Sequence, residues 1–293
     1  MSEFVGAFSS SLFYGTALGL MALAFTIIYT VSQVFNFAVG QFMILAALLT
    51  TAVTFTGNVV VNDLLSIAIV AGMGAATYLV ALRWPEAHGA NPLTLVIITF
   101  GVGIVVEQVV ELAWGSYPYS ETPVLSGHFV LYGNYIPYQG LLLIVVAGIT
   151  VTGLGLAQRR TIAGKQLLAL GGNRTTARYF GVNELMMVTI AWALSFAILG
   201  IVGTLYLPLT GVSITTDLSY GIAAFAAAVV GGLGNPGGAL AGGLVVAFVT
   251  NFTGIYGNPN ITDLLTFALL FAFLIFRPGG LTGRAIDLLG PRA

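Results

Sequence analysis

Nine apolar runs of roughly membrane-span length, divided by short polar breaks, leave this chain few ways to fold. They cover Ser11–Val31, Phe37–Phe55, Leu64–Leu82, Pro92–Trp114, Tyr138–Leu156, Leu185–Leu207, Leu218–Leu233, Ala239–Ile255 and Thr262–Phe276. A helix needs about 20 residues to cross a bilayer, and a backbone in lipid must satisfy its own hydrogen bonds. The expected fold is an all-α polytopic membrane protein, one transmembrane domain over residues 1–293. It would have about eight to ten helices, nine in this reading. The seventh and eighth runs are short and meet at GGLGNPGG, so two half-helices of a re-entrant feature stand as the alternative. Composition excludes a soluble fold: 58% of the 293 residues are hydrophobic and 6% charged, against about 25% charged in soluble domains. With no Cys, disulfide frameworks and thiolate metal sites are excluded. The opening MSEFVGAFSSSLFYG lacks the positive segment of a cleaved signal peptide, so the first run is expected to stay as a helix.

Basic residues orient the runs. Five of the nine Lys and Arg fall between Arg159 and Arg178, in RRTIAGKQLLALGGNRTTAR. Arg83 follows the third run, and Arg277, Arg284 and Arg292 follow the ninth. Cationic side chains are costly in hydrocarbon and collect on the cytoplasmic side. Each group follows an odd-numbered run, so an outside N-terminus and a cytoplasmic C-terminus place all of them on one side. The opposite loops, Gly115–Pro137, Thr210–Asp217 and Gly257–Ile261, hold no Lys or Arg. Residues 157–184 then form a large cytoplasmic loop and 115–137 the longest external one. The external loop is rich in Tyr and Pro; it reads either as an aromatic belt or as a docking surface or outer gate. Five bases on one short loop make a poor phosphate track, so nucleic acid is not a partner.

Inside the basic loop, GKQLLALGGNRTTARYFGVN holds an amphipathic segment, then Asn173 near a helix start and Gly181 near a stop. That pattern predicts two short helices along the membrane face, with an ordinary positive-inside loop as the plain alternative. Glu107 and Glu111 are four apart in the fourth run and share a face. Glu107 sits about 10 Å inside the outer end, at 1.5 Å per residue. A carboxylate near mid-membrane costs on the order of 2.5–3.5 kcal/mol and should face a polar interior. Glu107 and Gln108 therefore line a solute path or bond a neighbouring helix, while Glu111 fits the outer end. Asn36 lies between the first two runs, where it caps the second helix or meets solute. Gly40 permits close backbone approach, and Gln41 joins Asn36 on the candidate path. Asp217 and Asp263 are expected caps. Neither His88 nor His128, both isolated, is assigned a metal. The run AFAAAVVGGLGNPGGALAGGL contains G-x-G-x-x-G at Gly232–Gly237, but no strand precedes it, so a dinucleotide fold is untenable. The expectation is a tight turn between close-packed helices, using Gly231, Gly232 and Gly234, with Gly238 and Gly242 four apart at the contact.

Four of these segments, in order, resemble the permease subunits of the high-affinity branched-chain amino acid ABC importers, a LivH-like, binding-protein-dependent inner-membrane family. Its cytoplasmic pattern G-K-x-L-R-A-x-x-x-N-x-x-A-A-x-x-x-G is met by Gly164, Lys165, Leu167, Ala169, Asn173, Ala177 and Gly181. Leu168 stands where Arg is usual and Thr176 where Ala is common. VFNFAVGQFMILAA is similar to N-F-A-H-G-x-F-x-x-x-G-A through Asn36, Phe37, Ala38 and Gly40, with Val39 for the usual His and Ala46 for the usual Gly. The glycine-rich run resembles A-F-x-A-x-V-x-G-G-x-G-x-x-x-G-A-x-x-G-G, and FRPGGLTGR the closing R-P-x-G-L-F-G, with Thr282 for Phe. The family often has Gln where Glu107 stands. The resemblance implies a substrate-translocating subunit of the bacterial cytoplasmic (inner) membrane, with no cofactor of its own. Its implied partners are two ABC ATPase subunits docking on the 157–184 loop, an external solute-binding protein, and a second permease, LivM-like or another copy. Alternating access is the implied mechanism, and branched-chain or other hydrophobic amino acids the implied cargo. Relatives handling urea, short amides or aromatic acids leave the cargo open.

Gly164-Lys165 is followed by Gln and has no loop Gly before it, so no ATP-binding G-x-x-x-x-G-K-[ST] is present and the chain is not expected to hydrolyse ATP. A stand-alone ion-coupled carrier would need ionisable coupling sites at mid-membrane, and Glu107 is the good candidate. An intramembrane enzyme would need paired carboxylates, a His-rich set or a Ser/His dyad within the runs, and none is found. Impermeant labelling of a cysteine placed at Lys165 is expected only from the cytoplasmic side; labelling from outside overturns the orientation.

Overall fold

The computed structural model describes residues 2–52, 57–115, 119, 122–211, 217–277 and 279–282, with the side chains at 217, 218, 260 and 263 outside that set. It is an α-helical bundle around α1 (Ser2–Ser32), whose 31 residues rise about 46 Å at 1.5 Å each. From Gly15 to Ile28 every residue of α1 is buried. A helix apolar on all sides belongs in the middle of its neighbours. Around it stand α2 (Val39–Ala52), α3 (Val59–Ala76), α5 (Pro92–Trp114), α6 (Tyr138–Arg160), α9 (Glu184–Thr210), α10 (Asp217–Gly231), α11 (Pro236–Tyr256) and α12 (Thr262–Phe276). Short helices α4 (Arg83–Ala87), α7 (Ile162–Gly172) and α8 (Arg174–Tyr179) lie outside this set.

Each of the nine apolar runs holds a helix. Among the described residues six helical stretches are long and apolar enough to cross a membrane, while α2, α10 and α12 are shorter. For α2 the shortening falls at its start. The chain leaves α1 through Gln33 at φ 55° and stays unwound until Val39, so the run expected from Phe37 begins late. Of the pair expected as half-helices, α11 reaches 21 residues and α10 stops at 15. The fifth run extends to Arg160, which puts Arg159 and Arg160 on the last turn of α6 rather than on the connecting loop. Cations suit that end of a helix. The third run changes winding at Thr77–Leu82, where a turn of π-helix joins α3 to α4.

The longest loop is not all irregular. β1 (His128–Leu131) and β2 (Asn134–Pro137) form an antiparallel hairpin, with Phe129 opposite Ile136 and Leu131 opposite Asn134. Gln139 at the start of α6 ties it down. Its amide donates to the Leu205 carbonyl (3.2 Å) and its carbonyl accepts from the Leu125 backbone N–H (3.1 Å). The hairpin marks one end of the bundle; α7 and α8 mark the other, the basic end.

Glycine faces set the helix spacing. Gly15 and Gly19 of α1 are four apart and receive Leu240, Gly243 and Leu244 of α11; a Cβ on Gly243 would run into the backbone of Gly19 and Gly15. Lipid tails are as apolar as Leu, so close backbone packing has to hold such helices together. Gly203 of α9 lies against the Met43 carbonyl of α2, and Gly74 of α3 against Phe196 and the Trp192 carbonyl of α9. Large apolar side chains of α5, α6 and α12, among them Leu112, Ile149 and Ile275, face outward. Gly19→Leu is expected to cost about 1–3 kcal/mol through overpacking. Gly72→Leu, where a Cβ meets open space, should leave the thermal melt in detergent unchanged.

Candidate functional site

At the basic end two short helices are set by their caps. Thr161 donates its hydroxyl to the Ala157 carbonyl, closing α6 (2.7 Å), and accepts from the Gly164 N–H, opening α7 (3.0 Å). Asn173 opens α8 by accepting from the Thr176 N–H (2.9 Å). Gly181, at φ 80°, ends it: Val182 N–H bonds the Ala177 carbonyl and Gly181 N–H the Arg178 carbonyl, the paired pattern of a glycine-terminated helix. Asn183 then caps α9 on the Met186 N–H (3.1 Å). Each cap satisfies an N–H that the helix start would leave free.

The seven residues of the basic motif divide by burial. Gly164 and Ala177 are buried, Leu167 half-buried, and Lys165, Ala169, Asn173 and Gly181 exposed. A Cβ on Gly164 would strike the Ala157 carbonyl, so this glycine shapes the corner between α6 and α7. The outward face instead shows Ile162, Leu168, Tyr179 (86% exposed) and Phe180 (85% exposed).

Under this face lies an ionic network that sequence reasoning missed. Arg174 Nη1 is 2.6 Å from Glu86 Oε1 and 3.2 Å from Glu184 Oε1, while its Nε and Nη2 donate to the Val31 carbonyl at 3.0 and 2.6 Å. Arg178 Nε lies 3.3 Å from Glu184 Oε2, and the Tyr78 hydroxyl donates to Glu86 Oε2 at 3.0 Å. The signal was present: Glu86 and Glu184 are acids flanking basic segments.

The candidate path residues do not converge on one cavity. Asn36 is fully buried; its carbonyl accepts from the Ala38 N–H at 3.1 Å, a local turn ahead of α2, and its Nδ2 has no partner. Gly40 and Gln41 are buried in the first turn of α2, with Gln41 against Gly103 of α5 and its Oε1 without a partner. Thr99 of α5 holds the unwound segment by accepting from the Phe37 N–H (3.3 Å). Glu107 is half-buried, whereas Gln108 faces outward, 3.5 Å from Glu111. Asp63, unflagged in the sequence reading, is buried near the start of α3 with Oδ1 unpartnered. An acid at the edge of an apolar run is signal enough to have marked it.

The glycine-rich turn is compact. Gly231 lies against the Gly238 carbonyl, Gly242 against the Ala227 carbonyl, and Gly232 and Gly234 both take φ 95°. Asn235 caps α11 on the Gly237 N–H (3.0 Å). The segment after α12 closes over the turn: Leu281 N–H bonds the Val230 carbonyl (2.8 Å) and the Thr282 hydroxyl the Gly231 carbonyl (3.1 Å). Thr282 thus satisfies a carbonyl. The side chains of Asp217 and Asp263, and Arg284 and Arg292, lie outside the described residues.

A cavity of about 740 Å³ opens at the hairpin end between α1, α9, α10, α11, α12 and β2. Its wall includes Tyr14, Tyr206 and Tyr220, with ring centroids 6.1 to 6.2 Å apart, together with Ser10, Asn251 and Thr266. Among the described residues no charged side chain lines it, and none of the candidate path residues does. Its chemistry is hydrogen bonding and apolar contact. Among the described residues no three His, Cys, Asp or Glu side chains gather to hold a metal ion.

Comparison with known proteins agrees with this architecture. The pattern of the family described as branched-chain amino acid transport system / permease component matches residues 7–274. The chain is 27% identical to the high-affinity branched-chain amino acid transport system permease protein BraD of Pseudomonas aeruginosa, over 92% of each chain. It is 26% identical to the permease protein LivH of Escherichia coli, over 97% of this chain and 98% of LivH. It is 23% identical to the ribose import permease protein RbsC of Escherichia coli, over 87% of this chain and 80% of RbsC. No solved structure matches. Gly164→Ala is expected to lower thermal stability through the α6–α7 corner, whereas Ala169→Ser, on the exposed face, should leave the melt unchanged.

Proposed function

The chain belongs to the branched-chain amino acid transport system permease component family, and from that premise we propose that it is the substrate-translocating subunit of an ABC importer for branched-chain or related hydrophobic amino acids. The names of BraD and LivH support that cargo. The subunit works in a bacterial inner membrane with its basic end towards the cytoplasm. Separate ATPases dock on α7 and α8, a solute-binding protein delivers from the hairpin side, and a second permease subunit, homologous or identical, completes the path. Movement follows alternating access, in which nucleotide binding favours one arrangement of the spans by differential affinity.

The observation that carries the reading is the exposed face of α7 and α8, where Ile162, Leu168, Tyr179 and Phe180 stand out beside Lys165. Large aromatic side chains left bare outside the spans suit the pocket of a soluble partner. Glu107 and Gln108, on a face of α5 that is largely uncovered, join the solute path when a second permease packs there. Asn36, Gly40 and Gln41 contribute from behind that helix.

Aromatic anchors at interfaces commonly account for about 2 kcal/mol or more. The pair Tyr179→Ala, Phe180→Ala is therefore expected to abolish co-purification of the ATPase and ATP-driven uptake while the permease inserts and melts normally. Unchanged co-purification refutes the docking surface.

A further inference from the structure

We propose that Arg174 is the positioning residue that transmits displacement of α8 to α1, α3 and α9 together. The inference rests on the docking reading above and deepens it, because α8 is half of the proposed docking surface.

Arg174 is the first residue of a six-residue helix. Its guanidinium reaches three separate elements: the Val31 carbonyl in the last turn of α1, Glu86 on the α4 extension of α3, and Glu184 in the first turn of α9. The three side chains are 26%, 20% and 23% exposed, so salt screens them less than a surface pair. A guanidinium suits this work because its donors form a rigid planar fork, whereas an ammonium is a point charge on a flexible stem.

A second layer locks the same helices behind it. Tyr78, held inward by the π-turn, bonds the other oxygen of Glu86 and stacks on Trp192 of α9 at 6.1 Å between ring centroids. Trp192 in turn donates its indole N–H to Ser32 of α1 at 3.1 Å. Helical insertions of this π type recur at functional positions. Arg178, 60% exposed, touches Glu184 alone among these groups. It cannot replace Arg174.

Four features of α8 turn this contact into a link. Its inward packing is the small side chain of Ala177, its ends are set by Asn173 and Gly181, its outward end carries Tyr179 and Phe180, and Arg174 ties it to α1, to Glu86 and to α9 at once. A push on the aromatic end reaches the three helices together through that guanidinium, whereas Arg178 passes it to α9.

The test uses the assembled transporter, with its ATPases and binding protein, in proteoliposomes. For Arg174→Gln we expect ATPase co-purification and basal hydrolysis to persist while uptake per ATP hydrolysed falls roughly tenfold or more, as loss of charge-assisted bonds would give. Arg174→Lys should restore part of that ratio, and Glu86→Gln should lower it less than Arg174→Gln. The double variant should be no worse than Arg174→Gln alone. Wild-type uptake per ATP in Arg174→Gln overturns the proposal. Uptake and hydrolysis falling in step, at the same ratio and with a lowered melting temperature, overturns it too, because the arginine then only holds the fold. If no ATPase accompanies the wild-type chain, the docking reading fails, and the clamp with it, before any variant is compared.

Discussion

Close backbone contact between α1 and α11 is the constraint on which the rest depends. Hydrocarbon chains do not drive two apolar helices together, so their association needs atoms in van der Waals contact along a matched surface. Gly15 and Gly19 on one side, and Gly243 between Leu240 and Leu244 on the other, supply that surface. The adjacent Gly242 turns to α10, so consecutive glycines of one helix seat two neighbours. With α1 fixed at the centre, its two ends fall at the ionic cluster and at the cavity.

Those regions differ in kind. At the basic end, charged groups meet on Arg174 among the ends of α1, α3 and α9. At the hairpin end, α1 and α9 contribute Tyr14 and Tyr206 to a cavity whose described lining is hydroxyls, amides and rings. The same two helices therefore reach from the ionic cluster to the cavity wall. That makes α1 and α9 the structural connection between the two ends.

Much of the local structure was legible because it depends on short-range physics. Each of the nine apolar runs holds a helix, Pro92–Trp114 and Thr262–Phe276 with the bounds read from the sequence. Asn173 and Gly181 were legible as a start and a stop, since a side-chain acceptor and a residue tolerating positive φ are needed at those places. The delayed start of α2 was not legible, because it follows from Thr99 of a distant helix holding the Phe37 N–H. Nor was the hairpin at His128–Pro137, whose strands alternate poorly and which Gln139 secures through Leu205 of α9.

The candidate site divides in the same way. Sequence alone was enough for the class, an all-helical membrane protein, and for the location of its basic segment, because hydrocarbon excludes charge and requires internal backbone bonding whatever the packing. The permease family rests on motif resemblance and the family match. Tertiary structure alone decided that Gly164 and Ala177 of that segment face inward while Tyr179 and Phe180 face out, and that Glu86 and Glu184 converge on Arg174. The physical reason is distance: Glu86 and Arg174 are 88 residues apart in the chain, and a contact of that span depends on how helices cross. Periodicity along one helix cannot carry that information.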